Sequence, residues 1–160
     1  MKWIKVALLM LALGLSFNAL AINEDDEMAF KNAIEAGNVK EIDKFVKAEP
    51  TLVNEKFFGW SPLQIAVNYN KIEVAKYFLS KGADINYVQP NAHHSAYMLA
   101  ALNRQKEMTT FLAKAGANVN EKLKGGVSLV RYFRDEGDKE MLDLVTQLGT
   151  KDDGCQEECF

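Results

Sequence analysis

The sequence predicts an all-α solenoid of four helix-turn-helix units with short finger loops, on three observations. Segments recur every 33 or 34 residues. Each holds two short apolar runs that read as an antiparallel helix pair, and such a pair cannot bury its apolar faces without neighbours. Helix-start and helix-stop residues punctuate the runs at matching places.

In chain order, Lys2 and Lys5 precede an apolar run from Val6 to Phe17 and then Ala19-Leu20-Ala21. These are the parts of a secretory signal peptide, with cleavage expected after Ala21. The alternative, an uncleaved anchor, has only about a dozen apolar residues against the roughly 20 that span a bilayer. Cleavage leaves 139 residues and shifts the formal charge from -3 to -5. That balance, without a basic stripe, argues against nucleic acid, whose phosphates call for clustered Lys or Arg. The mature chain is expected to be soluble, without stable membrane insertion.

Residues 22–149 are expected to hold the units, at about 26–56, 57–90, 91–123 and 124–149. In the first, Ile22 to Glu27 is an acidic leader, whose Glu24, Asp25, Asp26 and Glu27 precede a helix from Met28 to Glu35, where negative charge suits the helix dipole. A second helix from Val39 to Lys47 ends in the proline turn Glu49 to Asn54. In the second unit, Ser61 is an N-cap and Pro62 takes the first helical position, where its missing donor costs little. Asn70 tolerates a left-handed turn, Ile72 to Leu79 is the next helix, and Gly82 stops it. The third unit has helices near Ala96–Asn103 and Glu107–Lys114, closed by Ala115-Gly116. In the fourth, Ser128–Asp135 and Lys139–Gln147 join at Gly137. Its Leu129, Val130, Phe133, Met141, Leu144 and Val145 have the spacing of a core, while Lys139, Glu140, Asp143 and Gln147 form the polar outer face of a terminal cap.

Ser61-Pro62-Leu63-Gln64-Ile65-Ala66 and Lys81-Gly82-Ala83-Asp84-Ile85-Asn86 resemble the T-P-L-H-x-A and x-G-A-D-V-N of ankyrin repeats, a family with a period of 33. The second motif returns as Gly116-Ala117-Asn118-Val119-Asn120. The resemblance runs from Asp26 to about Gly149. It breaks at Ala96-Tyr97, where Pro-Leu is expected, and at His93, where a finger glycine is expected.

In that family partners are held by the finger tips and the exposed ends of the first helices. The resemblance therefore selects Glu35 in the first unit, and Phe57, Phe58, Trp60, Asn68 and Tyr69 in the second. It adds Asn91, Ala92, His94, Leu102 and Asn103 in the third, and Lys124, Val127, Asp135 and Glu136 in the fourth. Trp60, His94 and Val127 fall at equivalent places and are expected to form a ladder. Phe57-Phe58-Gly59-Trp60 puts three large rings where exposed residues are expected, and exposed aromatic clusters anchor protein partners. The plainer reading is that one or two of them fold back to complete the core.

His93-His94 lacks a matching ligand set, so no metal or cofactor is expected. Cys155 and Cys159, the only cysteines, are expected to form a disulfide in the tail 150–160 of an exported chain, within or between chains. A thiol-disulfide catalyst is disfavoured because no C-x-x-C is present. No G-x-S-x-G, H-E-x-x-H or phosphate-binding glycine loop occurs, so no catalytic residues are assigned and the chain is not expected to be an enzyme. The expectation is a periplasmic protein-binding module, monomeric when free. Two roles stay open: an inhibitor or immunity protein against an enzyme or toxin acting in the periplasm, or a stabilising factor for a resident enzyme. The second is suggested by similar bacterial proteins associated with catalase and oxidative-stress protection.

Overall fold

The computed structural model describes residues 24–154, and within them eight α-helices pair off in sequence. The pairs are α1 (Glu24–Ala36) with α2 (Val39–Ala48), α3 (Pro62–Asn68) with α4 (Ile72–Ser80), α5 (Ala96–Leu102) with α6 (Lys106–Lys114), and α7 (Leu129–Asp135) with α8 (Lys139–Gln147). First helices also pack on first helices, α1 on α3 and α3 on α5. No strand occurs among the described residues. The expected signal peptide and the Cys155–Cys159 pairing lie outside them.

Local chemistry explains most boundaries. α1 starts four residues earlier than the sequence suggests, so the acidic leader forms its first turn, where negative charge suits the helix dipole. The proline turn is a 3-10 turn, Pro50–Val53, that buries Leu52 and Val53. Ser61 accepts from the Gln64 amide at 3.2 Å while the Gln64 side chain accepts from the Ser61 amide at 3.1 Å. Ser95 and Met98 repeat the arrangement with the methionine sulfur as acceptor. Arg131 stands at the same place in α7 and has no acceptor to offer. There the tail supplies it, with an Asp153 carboxylate oxygen accepting from the Ser128 amide at 2.8 Å and lying 3.5 Å from the Arg131 guanidinium.

The turn inside each pair needs one residue with positive φ: Gly37 (79°), Asn70 (52°), Arg104 (56°) and Gly137 (71°). Arginine is strained there. Its guanidinium donates to Asp138 of the next unit at 2.8 Å, which ties the strained turn to its neighbour.

The second finger closes without its glycine, because His93 itself takes a φ of 58° and donates its amide to the Gln89 carbonyl at 2.9 Å. A continuous core runs through all four pairs, including Phe30, Leu63, Phe78, Met98, Leu112 and Phe133, each fully buried. Units are clipped together outside that core by asparagines. The Asn54 side chain accepts from the Asp84 amide at 2.8 Å, Asn86 from Asn118 at 2.7 Å, and Asn120 from Lys151 at 2.8 Å.

Replacing Asn86 with Ala should therefore cost about 1 kcal/mol in urea unfolding, the worth of one hydrogen bond. The finger-tip change Asn91→Ala should stay within about 0.5 kcal/mol, as expected of an exposed residue away from such features.

Candidate functional site

Finger one is a two-residue turn. Phe57 and Trp60 exchange backbone hydrogen bonds at 2.9 and 3.0 Å, and between them Phe58 and Gly59 have φ of 53° and 83°. Two successive positive φ values make the turn that strand twist favours, normally built from Asn-Gly. Gly59 suits its place. Phe58 does not, since the left-handed region costs a residue with a Cβ roughly 1–2 kcal/mol.

The three rings separate. Phe57 is 7% exposed and packs against Phe30, with centroids 5.8 Å apart. It belongs to the core and meets the candidate binding face only from below. Trp60 is half-buried and packs on the core with one side. Phe58 is 96% exposed and makes no ring pair among the described residues. The far end of the same unit braces the turn: the Tyr87 hydroxyl donates to the Gly59 carbonyl at 2.9 Å, and the Lys56 ammonium sits 4.3 Å from the centre of the Tyr87 ring.

Finger one and the C-terminal end of α3 enclose a depression of about 220 Å³. Buried Phe57 and Ile65 contribute its base, and Phe58, Trp60 and Tyr69 its aromatic sides. Lys31 and Asn68 supply the polar lining. The Tyr69 hydroxyl is hydrogen-bonded to Glu35, which, with burial, holds the phenol above its ordinary value. Lys31 reaches the same Glu35 across 3.6 Å.

All five residues selected in the second unit thus line one depression, and Glu35 stands behind it. The others lie further along the stack. Asn91, Ala92, Asn103, Lys124, Asp135 and Glu136 are exposed, while His94, Leu102 and Val127 are partly buried. Trp60, His94 and Val127 hold equivalent places immediately before the capping serines, each accepting a finger-closing hydrogen bond through its carbonyl. Sequence reasoning missed Lys31 and Ile65. The signal for Lys31 was its position one turn ahead of Glu35, on the same helix face.

His93 lies 3.8 Å from Glu121. Burial, with His93 adjacent, holds the His94 imidazole below its ordinary 6.5. Among the described residues no three His, Cys, Asp or Glu side chains are grouped to hold a metal ion, and no helix is long and apolar enough to cross a membrane.

The family model for ankyrin repeats, three copies, matches residues 19–122. An ankyrin repeat protein of Rickettsia felis is 25% identical over 118 residues, 74% of this chain and 40% of its own length. The ankyrin repeat, SAM and basic leucine zipper domain-containing protein 1 of Notamacropus eugenii is 32% identical over 69 residues, 43% of this chain and 14% of its own. The chain thus spans less than half of either relative. The family match ends at residue 122, whereas the fold repeats once more, through α7 and α8.

Two outcomes follow from this geometry. Phe58→Asn should raise unfolding stability by about 1 kcal/mol, by relieving the left-handed strain without removing a packed ring; a loss of stability in urea titration would contradict the turn assignment. A histidine held low is neutral in the fold where the unfolded chain is already protonated, so the unfolded chain binds more protons. Stability should therefore decline as pH falls through 6.5. His94→Gln should flatten that decline, read as urea midpoints across the same pH range.

Proposed function

The chain belongs to the ankyrin-repeat family, and on that footing we propose that it is an exported protein-binding module that inhibits a partner enzyme by seating finger one in an apolar cleft. One observation carries the proposal. Phe58 is held in a strained conformation and 96% exposed, in a turn that the stack itself braces. The fold gains no packing from this ring, and backbone strain kept at an exposed position is characteristic of functional sites. A projecting aromatic beside a hollow has the form of an interface anchor, the kind of residue that dominates binding energy.

The charged start, apolar run and Ala-Leu-Ala of residues 2–21 support export, and the periplasm is the compartment proposed. An enzyme or toxin acting there is the proposed target. A rigid stack is suited to occlusion because it loses little conformational freedom on binding.

The test is affinity capture from periplasm, followed by assay of the captured enzyme with and without the protein. Phe58→Asn should weaken capture at least about 30-fold, the loss of an anchor worth about 2 kcal/mol, while the variant stays folded. Captured enzyme that keeps full activity in the complex would overturn inhibition. Capture unchanged by Phe58→Asn would overturn the assigned face.

A further inference from the structure

We propose that the hollow beside finger one receives a bulky aliphatic side chain followed directly by an acidic residue, both from one extended segment of the partner protein. This rests on the binding face assigned above and adds what that face selects.

Size comes first. At about 220 Å³ the hollow falls below the roughly 300–1,000 Å³ of pockets that enclose whole small ligands. It holds one side chain. Its buried base, Phe57 and Ile65, is apolar, so that side chain is apolar too.

Charge comes second. Among the described residues, Lys31 is the only formally charged one lining the hollow. Its tie to Glu35 is loose, 3.6 Å against 2.6 Å for the equally spaced Lys47 and Asp43, and Glu35 is also engaged by the Tyr69 hydroxyl. The ammonium can therefore turn toward an incoming carboxylate. It also repels a cation, which rules against Lys or Arg entering among the aromatic rings.

Direction comes third. Asn68 makes no side-chain hydrogen bond among the described residues and carries both a donor and an acceptor. That suits one peptide unit of an extended segment running past the opening.

The chain contains two tryptophans, Trp3 and Trp60, so the full chain carrying Trp3→Phe reports on the hollow through one indole N–H resonance. The probes are three capped peptides, acetyl-Ala-Leu-Asp-Ala-amide, acetyl-Ala-Leu-Lys-Ala-amide and acetyl-Ala-Ala-Asp-Ala-amide. Titration by NMR should move the Trp60 resonance with the Leu-Asp peptide at about tenfold lower concentration than with either of the others. Lys31→Met should erase the preference for Asp over Lys and keep that for Leu over Ala. A resonance unmoved by every peptide up to about 10 mM, or moved equally by all three, overturns the proposal, as does a Leu preference indifferent to the following charge. Loss of capture by Phe58→Asn together with failure of every peptide would leave the binding face standing and sink only this specificity. Peptide binding with capture intact in that variant would do the reverse.

Discussion

The asparagine clips set the pitch of the molecule. A helix pair of this size cannot stand alone: α3, α5 and α7 have seven residues each, well below the roughly 12–15 at which an isolated helix becomes even marginal. Burial against neighbours supplies the stability, but apolar contact is non-directional and would tolerate sliding. Hydrogen bonds that the backbone amides of Asp84, Asn118 and Lys151 donate to the side chains of Asn54, Asn86 and Asn120 do not. They fix each unit on the last, and so fix where each finger stands. Gln64 adds a second register mark by donating to the His94 carbonyl at 2.8 Å. At the C-terminal end, where no further unit follows in the described residues, Thr150 pairs its hydroxyl with Tyr97, and Asp152 and Asp153 face Arg134 and Arg131. Part of the tail thereby takes the place of a neighbour.

That rigidity gives finger one its meaning. Of the two residues at its tip, one is a glycine suited to the backbone and the other a phenylalanine that is not. The ring below, Phe57, locks the turn into the aromatic cluster around Phe30, and Tyr87, at the far end of the same unit, holds it from the side. Strain persists at Phe58 because these contacts over-determine the turn. Core and brace thus present an aromatic group that neither of them needs.

Much of the fold was legible because its signals are local. Ser61, Ser95 and Ser128 mark helix starts because a serine hydroxyl there accepts a backbone amide of the first turn, and the period follows from one design used repeatedly. The site was half legible. Phe57-Phe58 gives two adjacent rings with no residue between them to say which faces inward; the left-handed backbone at Phe58 decides it, and no local propensity favours that conformation for phenylalanine. Arg104 was hidden for the same reason, its strain being offset by Asp138, 34 residues away. Lys31 gains its role only when finger one lies beside α1. The reading of the tail rested on Cys155 and Cys159, since nothing in Asp152-Asp153 announces that Arg134 and Arg131 lie within reach.

The central claim is that recognition belongs to finger one and the hollow beside it, held in place by a stack that does not itself change. Hydrogen exchange on the free protein and on its complex with the captured partner tests this most directly. Slowed exchange confined to residues 57–60 and 67–70 and the facing turns of α1, with α4 and α6 unaltered, is the predicted footprint. Slowing centred on the outer helices α4 and α6, with residues 57–60 exchanging as in the free protein, would contradict it.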